Sequence, residues 1–134
     1  MYLTLDRHNG VPAYRQIIDQ VRFQVASGVL DPGSELPSTR ALSAELGINP
    51  MTVSKAYGLL ERDGVVERRP GKPVVVRAQA QGEADAGREE ELRRALAPAV
   101  SIARQLGLGR DEIQAVLDAL LAAPETTEPE GESR

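Results

Sequence analysis

The sequence contains no cysteine and no tryptophan, one histidine, one phenylalanine and three tyrosines. Without cysteine the chain cannot form a disulfide, a thiolate metal site or a cysteine nucleophile. The single histidine, His8, stands beside an Asn-Gly pair, which is typical of a surface residue rather than a metal ligand or a general base. No stretch approaches the ~20 apolar residues that cross a membrane, and the amino terminus lacks a signal-peptide pattern. These absences favour a soluble cytoplasmic protein without membrane contact.

Patterns that carry catalysis or bind metals are also missing. Glu89, Glu90 and Glu91 are adjacent, so on a helix they point to different sides and cannot form one carboxylate site. The sequence has no phosphate-cradling loop and no Ser/His/Asp set. We therefore expect a protein that is not an enzyme, with no cofactor and no bound metal.

Charge is distributed unevenly along the chain. The formal net charge of −4 argues at first against a nucleic-acid partner. Residues 1–78, however, carry 10 Lys and Arg against 8 Asp and Glu, whereas residues 79–134 carry 6 against 12. A mildly basic front half joined to an acidic back half indicates two different roles.

Apolar residues recur at helical spacing in the first half. A first helix is predicted after Pro12, and its apolar stripe consists of Tyr14, Ile17, Ile18, Val21 and Val25. A second helix begins at the N-cap Ser38 and ends at Leu46. A third opens with Asn49-Pro50, an N-cap followed by proline, and runs to about residue 63. Two short helices joined by so tight a turn indicate a helix-turn-helix.

A β-hairpin is predicted directly after the third helix. Residues 65–77 (VVERRPGKPVVVR) contain two valine-rich runs around a Pro-Gly turn, and the tip of this hairpin is basic. A hairpin in this place turns a helix-turn-helix into a winged one. A further short strand is predicted at residues 2–5.

The second half has a different composition. Residues 79–87 are small and polar and are interpreted as a linker, and the acidic residues 124–134 are expected to be disordered. Between them, residues 88–123 are predicted to form two helices, the first with Pro98 inside it. The predicted fold class is α+β, mostly α: a winged helix-turn-helix over residues 1–78, then a short two-helix dimerisation segment.

The two C-terminal helices, of about 18 and 12 residues, cannot bury their apolar stripes against each other alone. Packing against the same helices of a second chain solves this and gives a twofold homodimer. The alternative is a flap folded onto the winged domain. The predicted dimerisation residues are Leu92, Leu96, Val100, Ala103, Leu106, Ile113, Val116, Leu117 and Leu120.

In a helix-turn-helix, the first turn of the recognition helix meets base edges in the major groove. The predicted buried stripe of this helix consists of Val53, Ala56, Tyr57 and Leu60. The opposite face then offers Thr52 and Ser54 as hydrogen-bonding groups, and Met51 for a thymine methyl. Lys55 can reach a phosphate or a guanine, and Arg40 can hold a phosphate. A solvated helix face without a ligand is the simpler interpretation of these residues taken singly.

These motifs resemble the DNA-binding domain of the GntR family of bacterial regulators. The resemblance covers roughly residues 4–77 and rests on PG followed by LPSTR, on the NxxTV start of the third helix, on AY, and on the hairpin. It implies that Arg40 contacts the DNA backbone, that Asn49 through Ser54 read bases, and that Gly71 and its neighbours touch DNA. The complete predicted set is Ser38, Thr39, Arg40, Asn49, Pro50, Met51, Thr52, Ser54, Lys55, Arg69, Gly71 and Lys72.

The short C-terminal part resembles the YtrA subfamily, in which two helices dimerise. This resemblance implies a repressor that binds double-stranded DNA at an inverted-repeat operator and controls an operon, often one encoding an ABC transporter. Two other interpretations stay open. One is a winged-helix module for protein interaction without DNA binding. The other is a sensor whose DNA binding is controlled by an unidentified small-molecule effector.

Overall fold

The computed structural model describes residues 1–79 and 81–124, so most of the tail predicted to be disordered lies outside the described residues. The chain divides into two compact units, with the boundary between Glu91 and Leu92. The helices are α1 (Ala13–Ala26), α2 (Thr39–Leu46), α3 (Pro50–Arg62), α4 (Gln81–Gln105) and α5 (Arg110–Ala122), and the strands are β1 (Val66–Glu67) and β2 (Val75–Val76). This mostly helical fold with one small sheet confirms the predicted fold class.

Helix α1 begins after Pro12, whose missing N–H would have no partner at a helix start. The centre of its apolar stripe is enclosed, with Ile17, Ile18 and Val21 at most 1% exposed, whereas Tyr14 and Val25 at the two ends are half-buried. Gly28 follows the helix with a φ of +85°, a left-handed conformation that favours glycine. The first helix and its stop signal are therefore as predicted.

The amino-terminal segment forms no strand, contrary to the prediction for residues 2–5. Its backbone pairs instead with glutamine side chains of α1. The Gln20 carboxamide accepts from the Thr4 N–H (3.1 Å) and donates to the Thr4 carbonyl (2.6 Å). One turn earlier, Gln16 accepts from the Asp6 N–H (2.8 Å) and donates to the Asp6 carbonyl (2.7 Å). We call this row of side chains the glutamine ladder.

The ladder has a third, incomplete rung. Gln24 donates to the carbonyl of Tyr2 (2.6 Å), while its Oε1 is buried without a hydrogen-bond partner among the described residues. Between the rungs, Leu3 turns into the core and is 4% exposed. The extended segment is thus fixed by side chains that replace a neighbouring strand.

The predicted helix-turn-helix is present with both predicted caps. The Ser38 hydroxyl accepts from the N–H of Ala41 (3.0 Å), and the Asn49 side chain accepts from the N–H of Met51 (2.7 Å). These bonds satisfy N–H groups that have no partner inside the helix. Gly47 ends α2 with a φ of +69°, which makes the tight turn into α3 possible.

Helix α3 packs against both α1 and α2. The four residues of its predicted buried stripe are each 0% exposed: Val53, Ala56, Tyr57 and Leu60. The hydroxyl of Tyr57 donates to the carbonyl of Pro37 (2.7 Å), one residue before the N-cap of α2. Burial raises the pKa of Tyr57 above its usual value, because the phenolate would lose its solvation in the core.

Strands β1 and β2 form the predicted hairpin, and a third segment extends it. Glu35 bridges to Val75 in antiparallel fashion, and the N–H of Leu36 donates to the carbonyl of Val74 (2.8 Å). Residues 30–38 are rich in proline, glycine and polar residues, which are typical of a loop, so their pairing with the hairpin could not be predicted from the sequence. The register of the hairpin pairs Val66 with Val76 and Glu67 with Val75.

The predicted linker over residues 79–87 is corrected by the structure, because α4 begins at Gln81. Small and polar residues indicated a linker, but Glu83, Ala84 and Ala86 are good helix formers. Glu83 lies in the first turn, where a carboxylate favours the helix dipole, and its Oε1 is 3.7 Å from an Arg77 guanidinium nitrogen. The helix continues past Pro98 to Gln105.

In the second unit, α5 is capped by its own third residue. The N–H of Gly109 donates to a Glu112 carboxylate oxygen (2.7 Å), and Asp111 adds a second acid to the first turn. Across residues 92–124 no side chain is buried, so the apolar stripes of both helices are left uncovered.

The bond from Tyr57 to Pro37 generates a stability prediction. Tyr57→Phe should lower the free energy of unfolding by about 1–2 kcal/mol, because the Pro37 carbonyl loses its donor. Tyr14→Phe is the matched control, since the Tyr14 hydroxyl has no hydrogen-bond partner among the described residues. Urea denaturation measures both variants, and equal stabilities would contradict the assignment.

A second prediction concerns Gly58 in the middle of α3. A Cβ at this position meets no described heavy atom within 4 Å, and the backbone is helical. Gly58→Ala should therefore raise the free energy of unfolding by about 0.5–1 kcal/mol, because alanine loses less backbone freedom on folding. Gly47→Ala should lower it, because its φ of +69° strains an L residue. A thermal melt compares the two, and no gain for Gly58→Ala would refute the prediction.

Candidate nucleic-acid interface

The start of α3 presents the predicted base-reading residues on one side of the molecule. Met51 is 75% exposed, and Ser54 and Lys55 are also exposed. Thr52 is half-buried, and its N–H donates to the Asn49 carbonyl (2.9 Å). Thr52 is therefore more enclosed than predicted, whereas Ser54 is exposed.

Two predicted DNA-binding residues already have a role inside the fold. The side-chain oxygens of Ser38 and Asn49 are occupied as helix caps, and Pro50 is the first residue of α3. Thr39 is half-buried, whereas Arg40 is exposed in the first turn of α2. Within this group, Arg40 is the side chain best placed to reach a partner outside the chain.

Arg7, which sequence reasoning did not select, holds the turn between α2 and α3. Its guanidinium donates to the carbonyls of Leu46 (3.0 Å) and Gly47 (3.3 Å) at the carboxyl end of α2. A cation at this end also complements the helix dipole. No local pattern could reveal this contact, because Arg7 lies about 40 residues earlier in the chain.

The hairpin of β1 and β2 is the wing of this fold, and its tip at residues 69–72 is a β-turn whose geometry follows from its sequence. The N–H of Lys72 donates to the carbonyl of Arg69 (3.0 Å), with Pro70 and Gly71 between them. Proline fixes φ near −65°, and Gly71 has a φ of +71°, which together define a type II turn. Arg69 pairs with Glu67 (3.2 Å), whereas Lys72 is exposed.

Ion pairing separates the basic residues of the first unit into two groups. One group pairs with carboxylates and includes Arg22, Arg62, Arg68, Arg69 and Arg77. The other group makes no ion pair with any described residue: Arg7, whose guanidinium is already bonded to the carbonyls at the end of α2, and Arg15, Arg40, Lys55 and Lys72. A phosphate approaching the second group displaces no carboxylate, so these are the cations most available for nucleic acid.

One aromatic contact connects α1 to the exposed face of α3. The Lys55 ammonium lies 3.9 Å from the centroid of the Tyr14 ring, and the Arg15 guanidinium carbon lies 5.5 Å from it. Sequence reasoning placed Tyr14 in the core stripe of the first helix and did not select Arg15. Their positions near α3 depend on the packing of α1, which helical spacing alone does not give.

In the second unit, α4 and α5 enclose an apolar groove with a volume of about 240 Å³. Most predicted dimerisation residues line it: Leu96, Val100, Ala103, Ile113, Val116, Leu117 and Leu120. Leu92 and Leu106 lie outside this lining and are 57% and 69% exposed. Ala99 and Leu108 also line the groove but were not predicted. Leu108 stands alone between two glycines, outside any helical repeat.

Residues 1–79 and 81–124 contain no helix long and apolar enough to cross a membrane. The same residues contain no group of three or more His, Cys, Asp or Glu side chains that could hold a metal ion.

Comparison with known proteins identifies the family. The model of the bacterial regulatory proteins of the gntR family matches residues 13–76. The transcriptional repressor YtrA of Bacillus subtilis is 38% identical over 78 residues, which are 58% of this chain and 60% of YtrA. The regulator YhcF of the same organism is 32% identical over 102 residues, which are 76% of this chain and 84% of YhcF.

A solved structure supports the same assignment. YtrA from Sulfolobus acidocaldarius, a GntR-family transcription factor, is 30% identical and superimposes with a TM-score of 0.55 over 90% of this chain and 97% of that one. The resemblance found in the sequence, including that to YtrA, is thereby confirmed. So is the prediction of a regulator rather than an enzyme. This chain belongs to the GntR family of bacterial regulatory proteins.

Proposed function

We propose that this chain is a sequence-specific DNA-binding repressor that acts as a homodimer on an inverted-repeat operator. The observation that carries the proposal is a set of cations without an ion pair to any described residue, one on each part of the motif: Arg40 on α2, Lys55 on α3 and Lys72 at the tip of the hairpin. Unpaired cations around an exposed recognition helix fit a duplex, which carries one negative charge per ~1.7 Å of its axis.

Base reading is assigned to the first turn of α3. Met51 and Ser54 are exposed there, and Thr52 lies beside them and is half-buried. Hydroxyls can donate to and accept from base edges, and an apolar side chain can contact a thymine methyl. The burial of the opposite face fixes the rotation of α3, so these groups reach the groove together.

Phosphate binding is assigned to Arg40 on α2 and Lys72 on the wing. Such contacts position the protein on the duplex but carry no sequence information. Arg69 can also bind a phosphate if it gives up its ion pair with Glu67. Breaking that pair costs little free energy, because both side chains reach solvent. Gly71 shapes the turn that presents these wing cations.

Dimerisation is assigned to the groove of the second unit. Residues 92–124 bury no side chain, so the apolar lining between α4 and α5 requires a covering partner. A second copy of the same helices supplies a partner with matching chemistry, and the resulting twofold symmetry predicts an inverted repeat.

The name of the Bacillus relative, a transcriptional repressor, supports repression as the mode of regulation. Cytoplasmic location and control of an ABC-transporter operon follow by analogy, and an unidentified small-molecule effector stays a prediction.

Selection of duplexes from a random pool tests the DNA-binding proposal. We expect an inverted repeat whose half-sites lie about 34 Å apart, one helical turn.

Thr52→Ala should weaken binding to the selected duplex by about 1–3 kcal/mol and hardly affect a mixed-sequence duplex. Arg40→Ala should weaken both alike and flatten the slope of log affinity against log salt by about 0.9. Fluorescence anisotropy across a salt series measures both effects.

Arg62→Ala is the control for lost charge, because Arg62 is already paired with Asp63 (3.6 Å). It should change the salt slope less than Arg40→Ala does. An unrepeated consensus would argue against a dimeric reader. An Arg40→Ala protein with altered base preference and an unchanged salt slope would show that Arg40 reads bases.

Dimerisation is tested separately by sedimentation equilibrium across the micromolar range. Leu117→Glu should raise the dimer dissociation constant by about a hundredfold or more, because an unpaired carboxylate costs several kcal/mol in an apolar seam. Ala115→Glu adds the same group to the exposed, opposite side of α5 and should leave the dimer intact. A wild-type protein that is monomeric throughout would rule the proposal out.

A further inference from the structure

We propose that Tyr14, Arg15 and Lys55 form an additional phosphate-binding site at the start of α1, here called the Tyr14 cluster. In this site Arg15 and Lys55 bind the DNA backbone, and Tyr14 is a positioning residue that holds their charges together. The inference rests on the proposed DNA-binding face and extends it from α2, α3 and the wing to the first helix.

The geometry of the cluster is that of two cations on one aromatic ring. The Lys55 ammonium is 3.9 Å from the Tyr14 ring centroid, and the Arg15 guanidinium carbon is 5.5 Å from it. Both distances lie within the ~6 Å over which a cation is attracted to an aromatic ring. The separation of the two cations cannot exceed the sum of these distances, so a single stretch of backbone can meet both.

The Tyr14 ring is held in place by the fold. It is half-buried and packs against the hydrophobic core, and Ile17, one turn later, is 0% exposed. Lys55, by contrast, is an exposed side chain with four rotatable bonds. Contact with a fixed ring already limits the conformations of the lysine side chain in the free protein. Less conformational entropy is then lost when Lys55 binds a phosphate.

Charge is the reason to assign a phosphate to this site. Neither Arg15 nor Lys55 makes an ion pair with a described residue, including Asp19, which lies one turn from Arg15 on α1. Two like charges gathered without an internal anion repel each other, and a polyanion removes that cost. Lys55 projects from α3 opposite its buried stripe, so the cluster borders the face proposed to meet DNA.

The alternative is a purely structural contact in which Tyr14 joins α1 to α3. The two readings differ in what the ring does for the lysine. If the role of Tyr14 is structural, its ring stabilises the fold whether or not Lys55 is present. If Tyr14 positions the cations, its ring affects DNA binding only when Arg15 and Lys55 are present.

The experiment uses a mixed-sequence duplex at low salt, so that no operator has to be known. Lys55→Gln and Arg15→Gln should each flatten the slope of log affinity against log salt by about 0.9. Arg62→Gln is the matched control and should change the slope less, because Arg62 is the last residue of α3, about two turns beyond Lys55, and lies 3.6 Å from the Asp63 carboxylate that also pairs with Arg22. Both cluster variants replace exposed side chains, so they test the site without threatening the fold.

Tyr14 is tested with two substitutions. Tyr14→Phe keeps the ring and should bind within about twofold of wild type, whereas Tyr14→Leu should bind about two- to fivefold more weakly. In a chain that carries both Lys55→Gln and Arg15→Gln, Tyr14→Leu should have no further effect on affinity. In the free protein, the ring should shift the NMR signals of the Lys55 ε-methylene upfield with Tyr or Phe at position 14 but not with Leu.

The outcomes separate this inference from the proposed function. An unchanged salt slope for Arg15→Gln, with the expected slopes for wild type, Lys55→Gln and Arg40→Ala, overturns the cluster and leaves the proposed repressor standing. A Tyr14→Leu effect that persists without the two cations assigns the ring a structural role instead. A wild-type protein that shows no salt-dependent binding to the duplex overturns both.

Discussion

Four side chains on one face of α3 are completely withdrawn from solvent, and the orientation of every proposed base-reading group depends on that burial. A helix whose stripe is enclosed by α1 and α2 cannot rotate without exposing Tyr57 or Leu60. Tyr57 extends the constraint beyond α3, because its hydroxyl holds the carbonyl just before the start of α2. The two helices of the motif are therefore tied together by a buried side chain as well as by the short turn, and Arg7 secures that turn from outside.

The electrostatics of the chain are decided by pairing rather than by totals. A net charge of −4 and a sequence pI near 5.1 describe a protein that should avoid DNA. Locally, however, carboxylates neutralise arginines at positions such as Arg22 and Arg68, while Arg40 and Lys72 keep their full charge near α3 and on the wing. A surface can therefore attract a polyanion although the molecule as a whole is acidic, because screening in salt limits the repulsion from distant charges.

Local signals in the sequence predicted the elements, and contacts between distant segments determined the rest. The caps Ser38 and Asn49 and the stripe of α3 follow from propensity and spacing, and all were predicted correctly. The start of α4 was missed because its residues are small and polar, a composition that is also typical of a linker. The contacts of Arg7 and Tyr14 could not be predicted, since they require knowledge of how α1 and the amino-terminal segment pack. The place of Leu108 in the groove was not predicted for a related reason, because a residue in a turn is not part of a helical repeat.

The glutamine ladder joins two lattices whose repeats nearly coincide. Four residues of a helix advance about 6.0 Å along its axis, and two residues of an extended chain advance about 6.6 Å. Successive rungs on α1 also rotate by about 40° around the helix, because 3.6 residues make a turn. The mismatch is small enough for two complete rungs, at Gln16 and Gln20, and by Gln24 only one of two bonds remains. The mismatch therefore limits the number of rungs, and the rungs that do form fix one register of the amino-terminal segment against α1. Slippage by a single residue would turn Leu3 out of the core and the paired carbonyls away from the helix.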